Sequence, residues 1–277
     1  MCAIAIEFTT RDGLPLRANL HRPDAETGPL VLVAHGFKGF KDWGFFPWLA
    51  DRLAASGLVA LRFNFARCGV GDDPLEFDRL DLFRENSISR EIEDLEDLTA
   101  QLTDQPELAG VATDRFGLFG HSRGGAVSIL FADREPRVAA LATWAAVCRI
   151  DRHFGADALA QWREQKVLAI PNARTGQMMP LGMELYRDLT ERASRLDVAA
   201  AAARLNIPHL VVHGTDDESV PIADGEAIVR ATNGRAEPIF IEDTGHTFGA
   251  VHPFAGATTA LTRAADETAR HFVECLA

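Results

Sequence analysis

The chain has 277 residues, 47% hydrophobic and 25% charged, with a formal net charge of −12, the balance of an ordinary soluble globular chain. The excess of acid repels nucleic-acid phosphates and anionic membrane surfaces, so neither is an expected partner. The four cysteines, Cys2, Cys68, Cys148 and Cys275, form no C-x-x-C pair, which excludes zinc-ribbon and thioredoxin-like motifs and leaves each as a small buried hydrophobe.

Alternation of apolar and polar residues predicts strands over residues 2–8 and 16–22, joined as a hairpin by the turn RDG. The opening residues lack a basic segment and a long apolar core, and no run approaches membrane-spanning length, so a cytoplasmic protein is expected. PLVLVAHG, residues 29–36, is a continuous apolar run of the kind a strand buried on both faces requires. A helix follows over 46–57, ending on glycine, then a strand over 58–65. Residues 90–102 form an amphipathic helix with Ile92, Leu95, Leu98 and Leu102 as its buried stripe. Further strands fall at 115–120, 137–146, 207–214 and 236–243, with helices between them and a closing helix over 258–276. Strands alternating with helices imply a mostly parallel sheet with right-handed crossovers.

Between residues 148 and 197 that rhythm breaks. Two helical stretches, ADALAQWREQ and LGMELYRDLTERA, flank KVLAIPNARTGQMMP, whose centre NARTG reads as a hairpin turn. This segment is the expected cap, inserted in a core made of residues 1–147 and 198–277. Its Trp162, Met178, Met179, Met183 and Tyr186 are apolar and adaptable, suited to covering a substrate pocket or equally to packing on the core.

The chemistry begins at GLFGHSRGGA, residues 117–126. The spacing Gly120-x-Ser122-x-Gly124 is a nucleophile elbow, in which a strand turns directly into a helix and lifts the serine hydroxyl above the sheet. Small neighbours are needed because the pivot is strained and other segments cross it closely. A serine that merely caps a helix in a glycine-rich turn would look similar, so partners must decide.

A serine nucleophile needs a base and an acid that orients the base. The order Ser, Asp, His is the one this topology expects, and two late loops supply it: TDDESVP, residues 215–221, and DTGHTF, residues 243–248. Among nine histidines, His246 alone follows a strand near the carboxyl end of the sheet, with Gly245 freeing its loop. His35 and His213 read as structural, and no motif surrounds His252 or His271. For the acid, Asp216, Asp217 and Glu218 are adjacent, and Asp243 lies in the turn before His246. The oxyanion would be held by the backbone N–H of Arg123 and of Phe37 in HGFKGF, residues 35–40. A cation at a helix N-terminus is unfavourable, so the Arg123 side chain is expected to meet a carboxylate, Asp72 or Asp73.

HGF, GHSRGG, HGTDDESVP and DTGH, in this order and spacing, make the whole chain resemble an α/β-hydrolase-fold serine hydrolase of the dienelactone-hydrolase-like and cinnamoyl-esterase-like branch. The resemblance implies a mostly parallel central sheet flanked by helices with a short cap, and selects Asp217, four residues before Pro221, as the acid, with Asp216 as runner-up. It implies a carboxylic-ester hydrolase acting on a small-molecule ester through an acyl-enzyme, without metal or cofactor. Ser122 stands where true dienelactone hydrolases carry cysteine, which points away from dienelactone itself. FNFARCGVGDD, residues 63–73, resembles the family pattern FNFRGxGxS, with Cys68 and Asp73 where small or hydroxylic residues are common. A thioesterase or an acyl-peptide hydrolase would use the same residues, and a non-catalytic small-molecule binder could share the fold. The glycines of GFKGFK and RCGVGDD match neither phosphate-loop pattern. The cap composition favours an apolar or aromatic acyl group, and the oligomeric state, a homodimer included, is open.

Overall fold

The structure, a computed structural model, describes residues 3–73, 77–152, 154–172 and 175–277. In chain order the strands are β1 (Ile4–Thr9), β2 (Pro15–His21), β3 (Leu30–Ala34), β4 (Val59–Phe63), β5 (Phe116–His121), β6 (Val138–Trp144), β7 (Leu168–Pro171), β8 (Met178–Leu181), β9 (His209–Gly214) and β10 (Ala236–Ile241). The helices are α1 (Phe46–Ala55), α2 (Leu80–Glu85), α3 (Ile88–Ala100), α4 (Arg123–Ala132), α5 (Ala156–Gln165), α6 (Met183–Thr190), α7 (Val198–Arg204), α8 (Ile222–Ala231) and α9 (Thr259–Leu276).

Eight strands form one sheet in the order β1-β2-β4-β3-β5-β6-β9-β10. The β1–β2 and β2–β4 pairs are antiparallel, and every pair from β4 to β10 is parallel. The hairpin read from residues 2–22 is thus the antiparallel end of an otherwise parallel sheet. It shows why β1 alternates in burial while β3, β4, β5 and β9 are buried throughout: the central strands carry helices on both faces.

Successive residues of a strand serve opposite faces. In β3, Leu30, Leu32 and Ala34 join the core beneath α3, α4, α7 and α8, while Val31 and Val33 join the core beneath α1 and α9. Leu118 and Phe119 divide β5 in the same way. The stripe predicted on residues 90–102 is buried at Ile92, Leu95, Leu98 and Leu102. Helix α3 starts earlier than its apolar period suggests because Ser87 caps it, its side chain accepting from the Arg90 N–H at 3.2 Å.

The stretch between β6 and α7 holds α5, the antiparallel β7–β8 pair and α6. The pairing agrees with the expected hairpin, although Ala173 and Arg174 of its turn lie outside the described residues. Buried carboxylates tie the segment down at both ends. Asp188 accepts the N–H and hydroxyl of Ser89 at the start of α3, both at 2.7 Å. Asp224 on α8 accepts the Cys148 N–H at 2.9 Å and pairs with Arg152. Cys68 is fully buried, and burial pushes its thiol up to about 12, as a hydrophobic role requires. Cys148 and Cys275 are half-buried and unpaired by disulfide, and Cys2 lies outside the described residues. Among the described residues, no helix is long and apolar enough to cross a membrane.

Candidate active site

Strand β5 delivers Ser122 directly into α4. Ser122 has φ of 57° and ψ of −122°, a left-handed conformation that L-residues adopt only under tertiary constraint. The constraint is visible in the glycines around it. A Cβ on Gly124 would lie 2.3 Å from the His35 carbonyl oxygen, and one on Gly120 would lie 2.4 Å from the Gly124 carbonyl oxygen. Both obstacles are backbone and cannot turn aside, so the elbow needs glycine on each side of the serine.

The loop after β10 carries His246 back over the carboxyl end of the sheet. Its Nε2 accepts from the Ser122 hydroxyl at 3.0 Å, and its Nδ1–H donates to Asp217 Oδ2 at 2.7 Å. Asp217 sits in the loop after β9, where its other oxygen accepts the N–H groups of Ser219 at 2.9 Å and Val220 at 2.8 Å. His213 donates to the Val220 carbonyl oxygen at 2.8 Å and lies 3.4 Å from Asp217 Oδ2. Burial works against ionising Asp217, but the hydrogen bonds from His213, His246 and Val220 N–H outweigh it and hold the carboxyl well below the usual range. The neighbouring acids face elsewhere: Asp216 is exposed and accepts from the Thr215 hydroxyl at 3.1 Å, and Asp243 is exposed.

His121, one residue before the serine and passed over in the sequence, buttresses this arrangement. Its Nε2 donates to the His246 carbonyl oxygen at 2.9 Å, and the two rings lie 4.7 Å apart. Burial, then the neighbouring His246, pushes His121 down to about 3. It is a neutral packing residue that holds the His246 backbone.

Two cavities meet at Ser122 and His246. The larger, about 530 Å³, is walled by Phe37, Ile88, Val147, Ile150, Phe154, Ile170, Pro171, Leu185 and Val220, with Lys38, Arg123 and Glu218 as its charged side chains. The smaller, about 260 Å³, shares Phe37 and Lys38 with it and is lined also by Trp43, Phe46, His121, Asn172 and Thr247. Phe37 and Arg123 line the larger cavity together with Ser122. Arg123 opens α4, so its N–H belongs to the first turn, which has no intrahelical acceptor.

Two expectations change. Trp162, Met178, Met179, Met183 and Tyr186 do not line either cavity. Trp162 and Met179 are fully buried, Trp162 packing on Phe154 and Tyr186, while Met178 is 54% exposed. Met183 and Tyr186 are half-buried, and it is Leu185, pointing a different way around α6, that reaches the cavity. Side-chain size and softness did not reveal which way each residue points. The Arg123 guanidinium, for its part, pairs with Glu91 on α3 rather than with Asp72 or Asp73; Asp72 accepts from Arg17 at 2.9 Å. Glu91 falls beside Ile92 in an acidic, apparently solvated helix, and only the packing of α3 against α4 shows that it faces inward.

Comparison with known proteins agrees with this fold. A profile described as the alpha/beta hydrolase family matches residues 30–259. The chain belongs to the alpha/beta hydrolase family. Among solved structures of this family's fold, that of DcsB in complex with its substrate analogue superposes with a TM-score of 0.77 at 17% identity, covering 99% of this chain and 100% of the other. Est1E from Butyrivibrio proteoclasticus, solved with ferulic acid bound, gives a TM-score of 0.76 at 20% identity over 98% and 99% of the two chains. Dienelactone hydrolase from Anabaena variabilis gives 0.64 at 20% identity over 100% and 99%. In sequence, the hydrolase is 32% identical over 133 residues to the thiohydrolase aneE of Aspergillus aculeatus, a stretch covering 48% of this chain and 38% of that protein.

Proposed function

We propose that this hydrolase cleaves carboxylic esters through a Ser-His-Asp relay and a covalent acyl-enzyme. The observation that carries the proposal is the unbroken line of hydrogen bonds, 3.0 Å from Ser122 to His246 and 2.7 Å from His246 to Asp217, at the junction of two cavities. Ser122 attacks the carbonyl carbon while His246 Nε2 takes the hydroxyl proton, and ionised Asp217 stabilises the imidazolium that forms. The amides of Phe37 and Arg123 hold the oxyanion. As the tetrahedral intermediate collapses, the imidazolium returns the proton to the leaving oxygen, and a water activated by His246 releases the acid.

Residues 148–197 serve as the cap. The larger cavity, roofed by this segment, takes the acyl group, and the smaller takes the alcohol, whose departure opens a path for water. The apolar walls suit a medium-chain or aromatic acyl group. A second reading, thioester hydrolysis, is favoured by the thiohydrolase match over about half of the chain.

The test is turnover of p-nitrophenyl acyl esters from C2 to C12 and of methyl ferulate, beside acyl thioesters of matched chain length. Ester turnover in the wild type that falls by about 10³-fold or more in Ser122→Ala supports the serine relay. A thioester rate far above the matched oxygen ester, with the same dependence on Ser122, selects the second reading. A folded wild type inactive on every substrate refutes both, and leaves peptide cleavage or binding without turnover.

A further inference from the structure

A buried arginine stands in the wall of the otherwise mostly apolar larger cavity. Arg123 is 9% exposed and lines the cavity beside Ser122. Two contacts hold it. Its guanidinium lies over the Phe37 ring, 4.2 Å from the centroid, and its Nη2 donates to Glu91, itself 2% exposed. Glu91 is steadied in turn by Asn86, whose Nδ2 donates to Oε1 at 2.9 Å.

Among the described residues, Nη2 is the one donor of this guanidinium with a protein acceptor, and the buried Nε has none. Nε is shut off from the cavity, so the donor left to a ligand is Nη1, which has no protein acceptor among the described residues, and a site built to pair such a donor discriminates strongly against a ligand that cannot. The charges on the wall come in opposite signs, Arg123 with Glu91 behind it and Lys38 with Glu218. The cavity therefore offers hydrogen-bond donors without an excess of positive charge, a match for a neutral acceptor rather than for a carboxylate.

We propose that Arg123 is a specificity-determining residue that binds a neutral hydrogen-bond acceptor, such as an oxo group, on the substrate's acyl chain, with Phe37 and Glu91 holding the guanidinium in place. The inference rests on the acyl-hydrolase assignment of the preceding section. It gives Arg123 two separate duties: the backbone N–H at the oxyanion, and the side chain at the acyl group.

The experiment compares p-nitrophenyl esters of hexanoate, 4-oxohexanoate and adipate monoanion, each rate divided by its rate of hydroxide hydrolysis so that intrinsic reactivity cancels. The wild type should prefer the oxo ester over the saturated one by roughly 10-fold or more in kcat/KM. In Arg123→Met that ratio should fall to about one, whatever loss both substrates share through the disturbed elbow. Arg123→Lys, which keeps a cation for Glu91 without the planar fork, should fold and show a reduced ratio. A wild-type ratio near one, a ratio unchanged in Arg123→Met, or a preference for the adipate ester would overturn the proposal. If the wild type hydrolyses none of these esters, the ester-hydrolase reading fails, and binding decides the role of Arg123. By calorimetry, 4-oxohexanoate should bind the wild type more tightly than hexanoate does, an advantage lost in Arg123→Met. Equal binding overturns it.

Discussion

Replacing Asp217 by asparagine tests the proposed relay with almost no change of shape. In the wild type one carboxylate oxygen accepts the Ser219 and Val220 N–H groups at 2.9 and 2.8 Å, and the other accepts His246 Nδ1–H at 2.7 Å. Asparagine can keep the first pair through its own carbonyl oxygen, so the loop after β9 should stay in place. Its amide NH₂ then faces His246 Nδ1 and can only donate. The imidazole must adopt the other tautomer, with Nε2–H pointing at Ser122, and can no longer accept the serine proton. The expected loss in kcat is ~10⁴-fold, about 5.5 kcal/mol of transition-state stabilisation. Steady-state ester hydrolysis reads the loss, and circular dichroism checks the fold. A pH series adds a second reading. Asp217 is ionised well below its unfolded range, so its contribution to stability is complete above about pH 4 and is lost as pH falls through the folded value. Asp217→Asn should flatten the acid limb of the stability curve. If a folded Asp217→Asn keeps more than roughly a tenth of wild-type kcat, the orienting role assigned to Asp217 is wrong. Asp216→Asn should leave kcat near wild type, since Asp216 is exposed and bonds Thr215.

Gly124→Ala places a methyl 2.3 Å from the His35 carbonyl oxygen and should destabilise the fold by about 3 kcal/mol or more, seen as a fall in melting temperature; an unchanged melting temperature would show that the elbow has slack. Asp94 is buried, which raises its carboxyl to about 7 against the Ala66 N–H and Arg67 that pull it down. The folded state therefore holds a proton that the unfolded state releases near pH 4, and stability declines as pH rises from there to about 7. Asp94→Asn keeps an acceptor for the Ala66 N–H, at 2.8 Å in the wild type, and should be the more stable protein at pH 8, by up to about 4 kcal/mol; denaturant titrations at pH 5 and pH 8 that show no such gain refute the burial cost. Ile88→Trp, which fills part of the larger cavity, should move the acyl-chain optimum of ester hydrolysis to shorter chains, whereas Met178→Ala, at an exposed residue that starts β8, should leave it unchanged.

Much of the molecule was legible from local pattern. The alternation of β1 and the unbroken apolar runs of β3, β5 and β9 report directly whether one face or two are covered, because strand side chains alternate with a period of two. Ser122 was legible because its strained turn admits little but glycine at residues 120 and 124, and His246 because its place after the last strand sets the end of the sheet it can reach. The helices and strand pair between β6 and α7 were legible as an interruption of the strand–helix rhythm, and the β7–β8 hairpin from a turn between apolar flanks.

What the sequence could not decide was direction and partnership across the fold. Asp216 and Asp217 are neighbours of the same chemistry, and only the path of the loop after β9 turns one toward His246 and the other to solvent. Trp162 and Met183 looked like pocket residues by composition, while it is Ile170 on β7 and Leu185 on α6 that reach the cavity. Glu91 reads as one more acid on a charged helix until α3 packs on α4 and buries it against Arg123. The chain's local pattern therefore determines the elements and the turn at Ser122, since backbone geometry ties both to nearby residues. The partner of His246, the cavity wall and the partner of Arg123 depend on contacts between segments far apart in the chain, and those exist only once the sheet has brought the loops together.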